Sequence, residues 1–258
     1  MTDEKRKEVL DLFLNDNFNN GNALQIVIDN LPKFLYKYRA GTTYDLNALE
    51  NNELWMANAT LMDDPYDSKF LLTDEFRAQI DYVVNNVEHF RKLKYQKHLQ
   101  EDSIQRDCYL CSLSETSNSN DMWARYANND QGFCIQYDAL ELIKNIKYPI
   151  LPIWYDEKPQ EDADTLSKMS KRAMILKNFL IKNKVGNNGE DWYSQREWRI
   201  IAFGNMLEIT ADNKGKCIDA IKPSKIILGK DAPSVLYDKV IDWTSRPGNE
   251  TILVEKRE

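Results

Sequence analysis

The order of strand-like and helix-like segments is the feature that most constrains the fold of this chain. Short apolar or alternating runs predict strands near residues 34–39, 108–113 and 196–203. Helical spacing fills much of the chain between them, without a regular strand–helix–strand rhythm. No glycine-rich phosphate loop follows a strand, which argues against a Rossmann domain. We therefore predict an α+β fold with a mixed, mostly antiparallel central sheet.

The chain is predicted to form a single domain with helical additions. Its 258 residues are enough to bury one large core. Residues 1–32 are predicted to be an N-terminal helical extension, because Pro32 ends the second apolar helix. Residues 33–258 are predicted to form one α+β domain, with helical insertions near 73–105 and 165–184.

Charge and hydropathy limit the partners. The chain has 34 Lys and Arg against 41 Asp and Glu, a net charge of −7. Binding to nucleic acid depends on clustered Lys and Arg, so this net charge does not indicate a nucleic-acid partner. It does not exclude a small basic pocket. No apolar run approaches the roughly 20 residues that span a bilayer. We expect a cytoplasmic protein with no membrane partner.

Three polar motifs on predicted strands are candidates for a site. Ser112 and Ser114 are two apart, as are Gln195 and Glu197, so each pair should share a strand face. Arg39 stands at the exit of an earlier strand. The chain order is therefore Arg, Ser-x-Ser, Gln-x-Glu.

Four groups of motifs follow one another along the chain: residues 35–39; residues 54–55 with 63–67; residues 111–112 with 122–126 and 132–135; and residues 197–200. Together, in this order, they resemble the bacterial family called domain of unknown function 2971. The family usually has Asn where Asp63 stands and Glu where Gln195 stands. Its members often lie near mobile elements and defence genes, so the resemblance implies a toxin-like or antiphage effector.

The polar motifs are also similar to the arginine–serine–glutamate group of ADP-ribosyltransferases. That similarity implies an ADP-ribosyltransferase-like sheet and NAD as substrate, with an acceptor macromolecule that the sequence does not identify. By analogy, Glu197 stabilises an oxocarbenium-like transition state and Gln195 positions the acceptor. Arg39 would bind pyrophosphate, and the serines would orient the ribose.

Aromatic and acidic residues beside these motifs complete the predicted site. Tyr193 or Trp123 could stack on nicotinamide. Trp123 and Tyr126 are three apart in a predicted helical turn and should share one side of it. We expect Trp123 to pack under the cleft and Tyr126 to offer its hydroxyl to Asp64 or to a ligand.

Two structural or non-catalytic interpretations remain open. Arg39 and Glu197 could simply form an ion pair that closes the sheet. The protein could also be a non-catalytic ligand-binding or regulatory module of a bacterial defence locus.

A metal-dependent nuclease is a further alternative. Asp63, Asp64 and Asp67 could join Glu197 in holding Mg²⁺ for phosphodiester cleavage. Such a nuclease would need a lysine where Arg199 stands, and Arg is a poor base because it stays protonated. Cys108 and Cys111 have zinc-like spacing but should point to opposite faces of a strand. No metal is therefore expected.

Overall fold

A computed structural model describes residues 1–14, 21–64, 67, 106–157, 178–186, 188–209 and 214–258. Its helices are α1 (Asp3–Leu14), α2 (Gly21–Asp29), α3 (Thr43–Glu50), α4 (Asn120–Tyr126), α5 (Ala139–Asn145) and α6 (Ser234–Thr244). The strands up to the middle of the chain are β1 (Phe34–Arg39), β2 (Glu53–Asn58), β3 (Cys108–Ser114), β4 (Phe133–Asp138), β5 (Ile150–Pro152) and β6 (Trp154–Asp156). The remaining strands are β7 (Ile181–Asn183), β8 (Glu197–Phe203), β9 (Gly215–Asp219), β10 (Lys225–Leu228) and β11 (Leu253–Lys256).

The described strands form one large sheet and one small one. The large sheet has the order β11-β10-β4-β1-β3-β2-β9, and β8 lies between β3 and β5. Every pair in it is antiparallel except β10 with β11. In the small sheet β6 and β7 are parallel. The predicted α+β class, with a mixed and mostly antiparallel sheet in a single domain, is confirmed.

A gap along one edge of β3 is the feature of the sheet that creates a cavity. The whole of β3 pairs with β8, which occupies its other edge. On the gapped edge, β1 pairs with β3 at Tyr36 and Ser114, whereas β2 pairs with it at residues 109 and 110. Residues 111–113 therefore face no strand on this edge among the described residues, and β1 and β2 diverge around them.

The N-terminal helices pack onto the same core as the sheet. Val9, Leu10 and Phe13 of α1 are buried with Trp198 of β8 in one apolar cluster. Arg6 is 1% exposed. Its Nη1 donates to the carbonyl oxygens of Ile153 at 2.8 Å and Glu197 at 2.9 Å. Its Nη2 donates to Glu115 at 2.6 Å. A helix that is remote in sequence thus fixes the start of β8.

The structure corrects one helix prediction and shows how α3 begins. Residues 178–180 are helical, but residues 181–183 form β7, so the helix predicted for 165–184 is wrong at its C-terminal end. The rest of that helix, from residue 165 to residue 177, and the helix predicted for 73–105 lie outside the described residues. Helix α3 begins with a capping box, in which the Thr42 hydroxyl accepts from Asp45 N while the Asp45 carboxylate accepts from Thr42 N.

The length and apolar character of a helix decide whether it can cross a membrane. Within the part of the chain that the structure describes, no helix has both the length and the apolar character needed to traverse a bilayer.

Replacing Arg6 should show how much α1 stabilises the fold. Arg6→Met keeps an apolar stem but removes the donors to two buried carbonyl oxygens and the cation beside Glu115, so we expect a loss of about 3 kcal/mol in the free energy of unfolding. Urea unfolding followed by circular dichroism measures it. Lys7→Met, which removes an exposed pair with Asp11, is the matched control and should cost less than about 1 kcal/mol. Equal losses in the two variants would contradict this role for Arg6.

Candidate functional site

The gap on β3 opens into a cavity of about 220 Å³. Strands β1, β2 and β3 supply much of its wall. The rest comes from the segment that follows β2, from α4 and β7, and from the start of β8 with the turn before it. Five residues of the predicted NAD site share this lining: Arg39, Ser112, Tyr126, Gln195 and Glu197. Asp63 and Asp67, which the sequence suggested for a nuclease, line it as well. Strand order explains the convergence, because β8, β3 and β1 are neighbours and carry Glu197, Ser112 and Arg39 respectively.

Four buried charged side chains lie at the cavity, and three of them, Asp67, Lys182 and Glu197, line it. Arg199 donates to Asp67 through Nη1 at 2.8 Å and Nη2 at 2.5 Å, which is a bidentate pair. Its Nε donates to Glu197 Oε1 at 2.7 Å. The Lys182 ammonium lies 3.4 Å from Glu197 Oε2 and 3.5 Å from Asp67 Oδ2. All four side chains are at most 3% exposed, and their formal charges cancel. We call these four residues the charge cluster.

Glu197 is held in its ionised form by the charge cluster. Burial alone would raise the pKa of its carboxyl group, but Arg199 and Lys182, with hydrogen bonds from Arg199 and Ser112, hold that pKa well below its usual range. The same carboxylates hold the pKa of Lys182 above its ordinary value despite burial. A permanent negative charge therefore lines the cavity at Glu197.

An unusual backbone conformation delivers Glu197 to the cavity. Residues Tyr193–Gln195 form a 3₁₀ turn, and Arg196 follows with a φ of 46°. A non-glycine residue in this left-handed region needs support from its surroundings. Here Arg196 Nη1 donates a hydrogen bond to Asp3 Oδ1 of α1 at 2.7 Å, which supports this conformation. The turn places Gln195 and Glu197 in the same cavity lining even though Gln195 is not on the strand.

A chain of hydrogen bonds crosses the cavity mouth. Gln195 accepts from Lys182 Nζ at 3.2 Å, and its Nε2 donates to the Tyr126 hydroxyl at 3.1 Å. Tyr126 in turn donates to Asp63 Oδ2 at 2.5 Å. The predicted partner Asp64 was wrong, because Asp63 takes this bond. Burial and the neighbouring Asp63 raise the pKa of Tyr126, so its hydroxyl stays protonated.

Two basic residues of β1 also line the cavity. Lys37 and Arg39 are two apart and share a strand face. Lys37 Nζ donates to the Ser112 carbonyl at 2.7 Å, which caps the backbone in the gap of β3. Burial lowers the pKa of Lys37. The carboxylate that pairs with Arg39 is Asp45, at 3.8 Å, so the ion pair considered between Arg39 and Glu197 is not formed.

The other predicted residues lie outside the cavity lining. Trp123 is fully buried, contacts Tyr38 edge to face, and donates from Nε1 to the Ser117 carbonyl at 2.7 Å. Ser114 donates to the Gln195 carbonyl at 2.7 Å and so holds the turn before β8. Tyr193 donates to Asp3 at 2.7 Å. These contacts are structural, and Asp64 is also buried away from the lining.

Lys37 and Lys182 are lining residues that the sequence did not single out. Lys37 could have been found from its position two residues before Arg39 on the same predicted strand. Lys182 could not, because it falls in a segment with helical spacing. Arg199 is two residues from Glu197, so the spacing itself allows the pair that the structure contains.

The acidic residues do not form an open cation site. Asp67 and Glu197 both hold the Arg199 guanidinium, and a divalent cation between them would have to displace it. Among the described residues, no group of three or more His, Cys, Asp or Glu is placed to hold a metal ion. The four cysteines are free thiols, and Cys108, Cys111 and Cys134 are buried.

One of the comparisons with known proteins matches a segment that contains part of this site. Residues 122–200 match the family model described as "Protein of unknown function (DUF2971)". This match supports the resemblance of the chain to the DUF2971 family. It includes Tyr126, Lys182, Gln195, Glu197 and Arg199, and it ends before β8 does. The DUF2971 match does not reach Arg39 or Ser112. No curated protein and no solved structure matches the chain.

Trp123, within the DUF2971 match, should act on stability. Its side chain is 0% exposed, so Trp123→Ala should lower the free energy of unfolding by about 3–5 kcal/mol through the cavity it leaves. Trp55→Ala, at a side chain 38% exposed, is the comparison and should cost clearly less. Thermal and urea unfolding give both values. An unchanged melting temperature for Trp123→Ala would show that this ring contributes little to packing.

Glu197 should make stability depend on pH in the acid range. Its folded pKa lies below the unfolded value of about 4.3. The stability it contributes is therefore complete above that value and is lost as the pH falls towards the folded pKa. Glu197→Gln should cost about 3–5 kcal/mol at pH 7, because it leaves the charge cluster with excess positive charge. Below about pH 4, the difference from wild type should shrink by about 1.4 kcal/mol per pH unit.

Urea unfolding from pH 7 to pH 3 measures this difference. Glu8→Gln is the control, since Glu8 forms an exposed pair with Lys5, and it should stay close to wild type throughout. A gap between wild type and Glu197→Gln that is constant with pH would contradict the assignment of a lowered pKa.

Proposed function

We infer that the protein cleaves NAD at the bond between nicotinamide and ribose, either transferring ADP-ribose to an acceptor or releasing it to water. The single observation that carries this inference is the meeting of Arg39, Ser112 and Glu197 in one cavity from three neighbouring strands. The same three residue types, in the same chain order, give the similarity to ADP-ribosyltransferases. The resemblance to the DUF2971 family extends the proposal to a toxin-like or antiphage effector.

The electrostatics of Glu197 suit this reaction. When the glycosidic bond breaks, nicotinamide leaves with the bonding electrons and positive charge develops on the ribose. A fixed carboxylate stabilises that charge, and the charge cluster keeps Glu197 ionised. Water or an acceptor hydroxyl then bonds to the ribose carbon and loses its proton. Gln195, held between Lys182 and Tyr126, would position that group.

The charges around the cavity suit a dinucleotide that carries both signs. Lys37 and Arg39 lie on the β1 side, and neither is within hydrogen-bonding distance of a carboxylate among the described residues. They can bind phosphate oxygens, and Arg39 can do so with two donors. Glu197 and Asp63 line the same cavity, and their negative charges suit the cationic nicotinamide ring.

Binding without cleavage is the second candidate, and one observation favours it. Both carboxylate oxygens of Glu197 already accept from Arg199, and Lys182 lies beside one of them. A carboxylate so fully engaged could serve structure alone. The protein would then be a nucleotide-binding or regulatory module with the same cavity.

Nicotinamide release separates the two candidates. The purified protein is incubated with NAD, with and without cell lysate, and nicotinamide and labelled ADP-ribose products are quantified. We expect release by the wild type. Ser112→Ala should lower kcat/KM roughly 10- to 100-fold, because it removes a hydrogen bond to a charged group. Arg39→Lys should raise KM roughly ten-fold, since it loses the bidentate geometry. Ser234→Ala, on the exposed start of α6, is the control.

Glu197→Asp tests the carboxylate itself while keeping its charge for Arg199. It should remain folded and lose most of its turnover, because the carboxylate is withdrawn from the cavity. Binding of NAD by a folded wild type with no nicotinamide release would favour the binding module. A folded wild type that neither binds NAD nor releases nicotinamide would overturn both candidates.

A further inference from the structure

A second cavity adjoins the first and shares two residues with it. It has a volume of about 440 Å³ and is lined by α3, β2 and β9. Arg39 and Trp55 line both cavities. The nucleotide proposal uses only the first, whose 220 Å³ is below the roughly 300–1,000 Å³ of typical small-molecule sites. A whole dinucleotide needs more room than the first cavity offers.

The two cavities follow each other along one face of β2. Ala57 lines the first, Trp55 lines both, and Glu53 lines the second. These residues alternate with the buried Leu54 and Met56, so they share the open face of the strand. Successive residues on one face are about 7 Å apart, which sets the spacing of the two cavities at roughly the separation of two linked ring systems.

Arg39, at the boundary between the two cavities, has one hydrogen-bond donor that is not used by any described residue. Its Nη2 is buried and has no hydrogen-bond partner within the described ranges. A buried donor without an acceptor is costly, and it is an uncommon feature in a folded protein. An anionic linker between the two cavities would supply the missing acceptor, as a pyrophosphate does.

The second cavity offers aromatic surface and ribose acceptors. Tyr44 on α3 is 87% exposed and Trp55 is 38% exposed. A base can stack on either ring. The Trp55 ring packs directly against Gly215 of β9, where a Cβ would lie 2.5 Å from it, so the absence of a side chain there gives the ring its place. Glu53 can accept from a ribose diol, and the Asn47 amide can both donate to a base and accept from it.

We propose that the second cavity binds the adenosine half of NAD, with Arg39 holding the pyrophosphate between the two cavities. This proposal rests on the proposed function for the identity of the ligand. The nicotinamide and its ribose then occupy the first cavity beside Glu197, and the adenine lies against Tyr44 and Trp55. The second cavity is thereby a site for adenosine monophosphate by itself.

Calorimetric titration with adenosine monophosphate and with nicotinamide mononucleotide tests the assignment on the full chain. We expect the wild type to bind adenosine monophosphate. Tyr44→Ala and Glu53→Gln should each weaken that binding roughly ten-fold or more and leave nicotinamide mononucleotide binding unchanged. Tyr237→Ala, at a tyrosine 45% exposed on α6, is the matched control and should bind both ligands as the wild type does. In NAD cleavage, Tyr44→Ala should raise KM by a similar factor with kcat unchanged.

The outcomes separate this proposal from the proposed function. Binding of adenosine monophosphate that Tyr44→Ala weakens supports the second site even where NAD is not cleaved. Cleavage of NAD with the wild-type KM in both Tyr44→Ala and Glu53→Gln overturns the second site and leaves the proposed function in place. Absence of adenosine monophosphate binding by a folded wild type also overturns it. Trp55→Phe, which keeps an aromatic ring, should retain most of the affinity, and complete loss there would contradict stacking.

Discussion

The Arg199 guanidinium, shared between Asp67 and Glu197, is the interaction on which the cavity depends. Taking an arginine fully out of water costs several kcal/mol, and only close carboxylates with good geometry offset that cost. Asp67 supplies a bidentate bond and Glu197 a bond from β8, while Lys182 balances the second negative charge. Because the four residues come from a loop, β7 and β8, the neutral cluster fixes three segments relative to one another.

The sequence predicted elements whose periodicity matches their environment. In β8, nearly every residue is buried, and the apolar run was sufficient to place it. Helix α4 was located correctly because its turn is amphipathic and Ser119 caps it. Strand β7 was missed because three residues are too few to show a period, and the preceding apolar spacing continued into it. Nor does any residue type announce that Arg196 adopts a positive φ, since contacts with α1 impose that conformation.

The sequence predicted several residues that share the cavity, but it did not predict how their side chains pair. Chain order selected Arg39, Ser112 and Glu197, and adjacency of β1, β3 and β8 brought them together. Pairings depend on which distant segments meet, so the approach of Lys182 and Asp67 to Glu197 could not be read from spacing. Composition also cannot tell a buried tryptophan from an exposed one. Trp123 packs in the core, whereas Trp55 lies at the boundary of two cavities.

The anchoring of α1 on β8 has a consequence for how the molecule is made. Arg6 precedes its acceptors at Ile153 and Glu197 in the chain by 147 and 191 residues. Contacts of such long sequence separation slow folding, because the chain entropy is lost before they form. During synthesis, α1 therefore remains without its docking surface until β8 has emerged. A chain interrupted before β8 lacks Glu197 and Arg199, so it has neither a complete charge cluster nor the fixed carboxylate of the cavity lining.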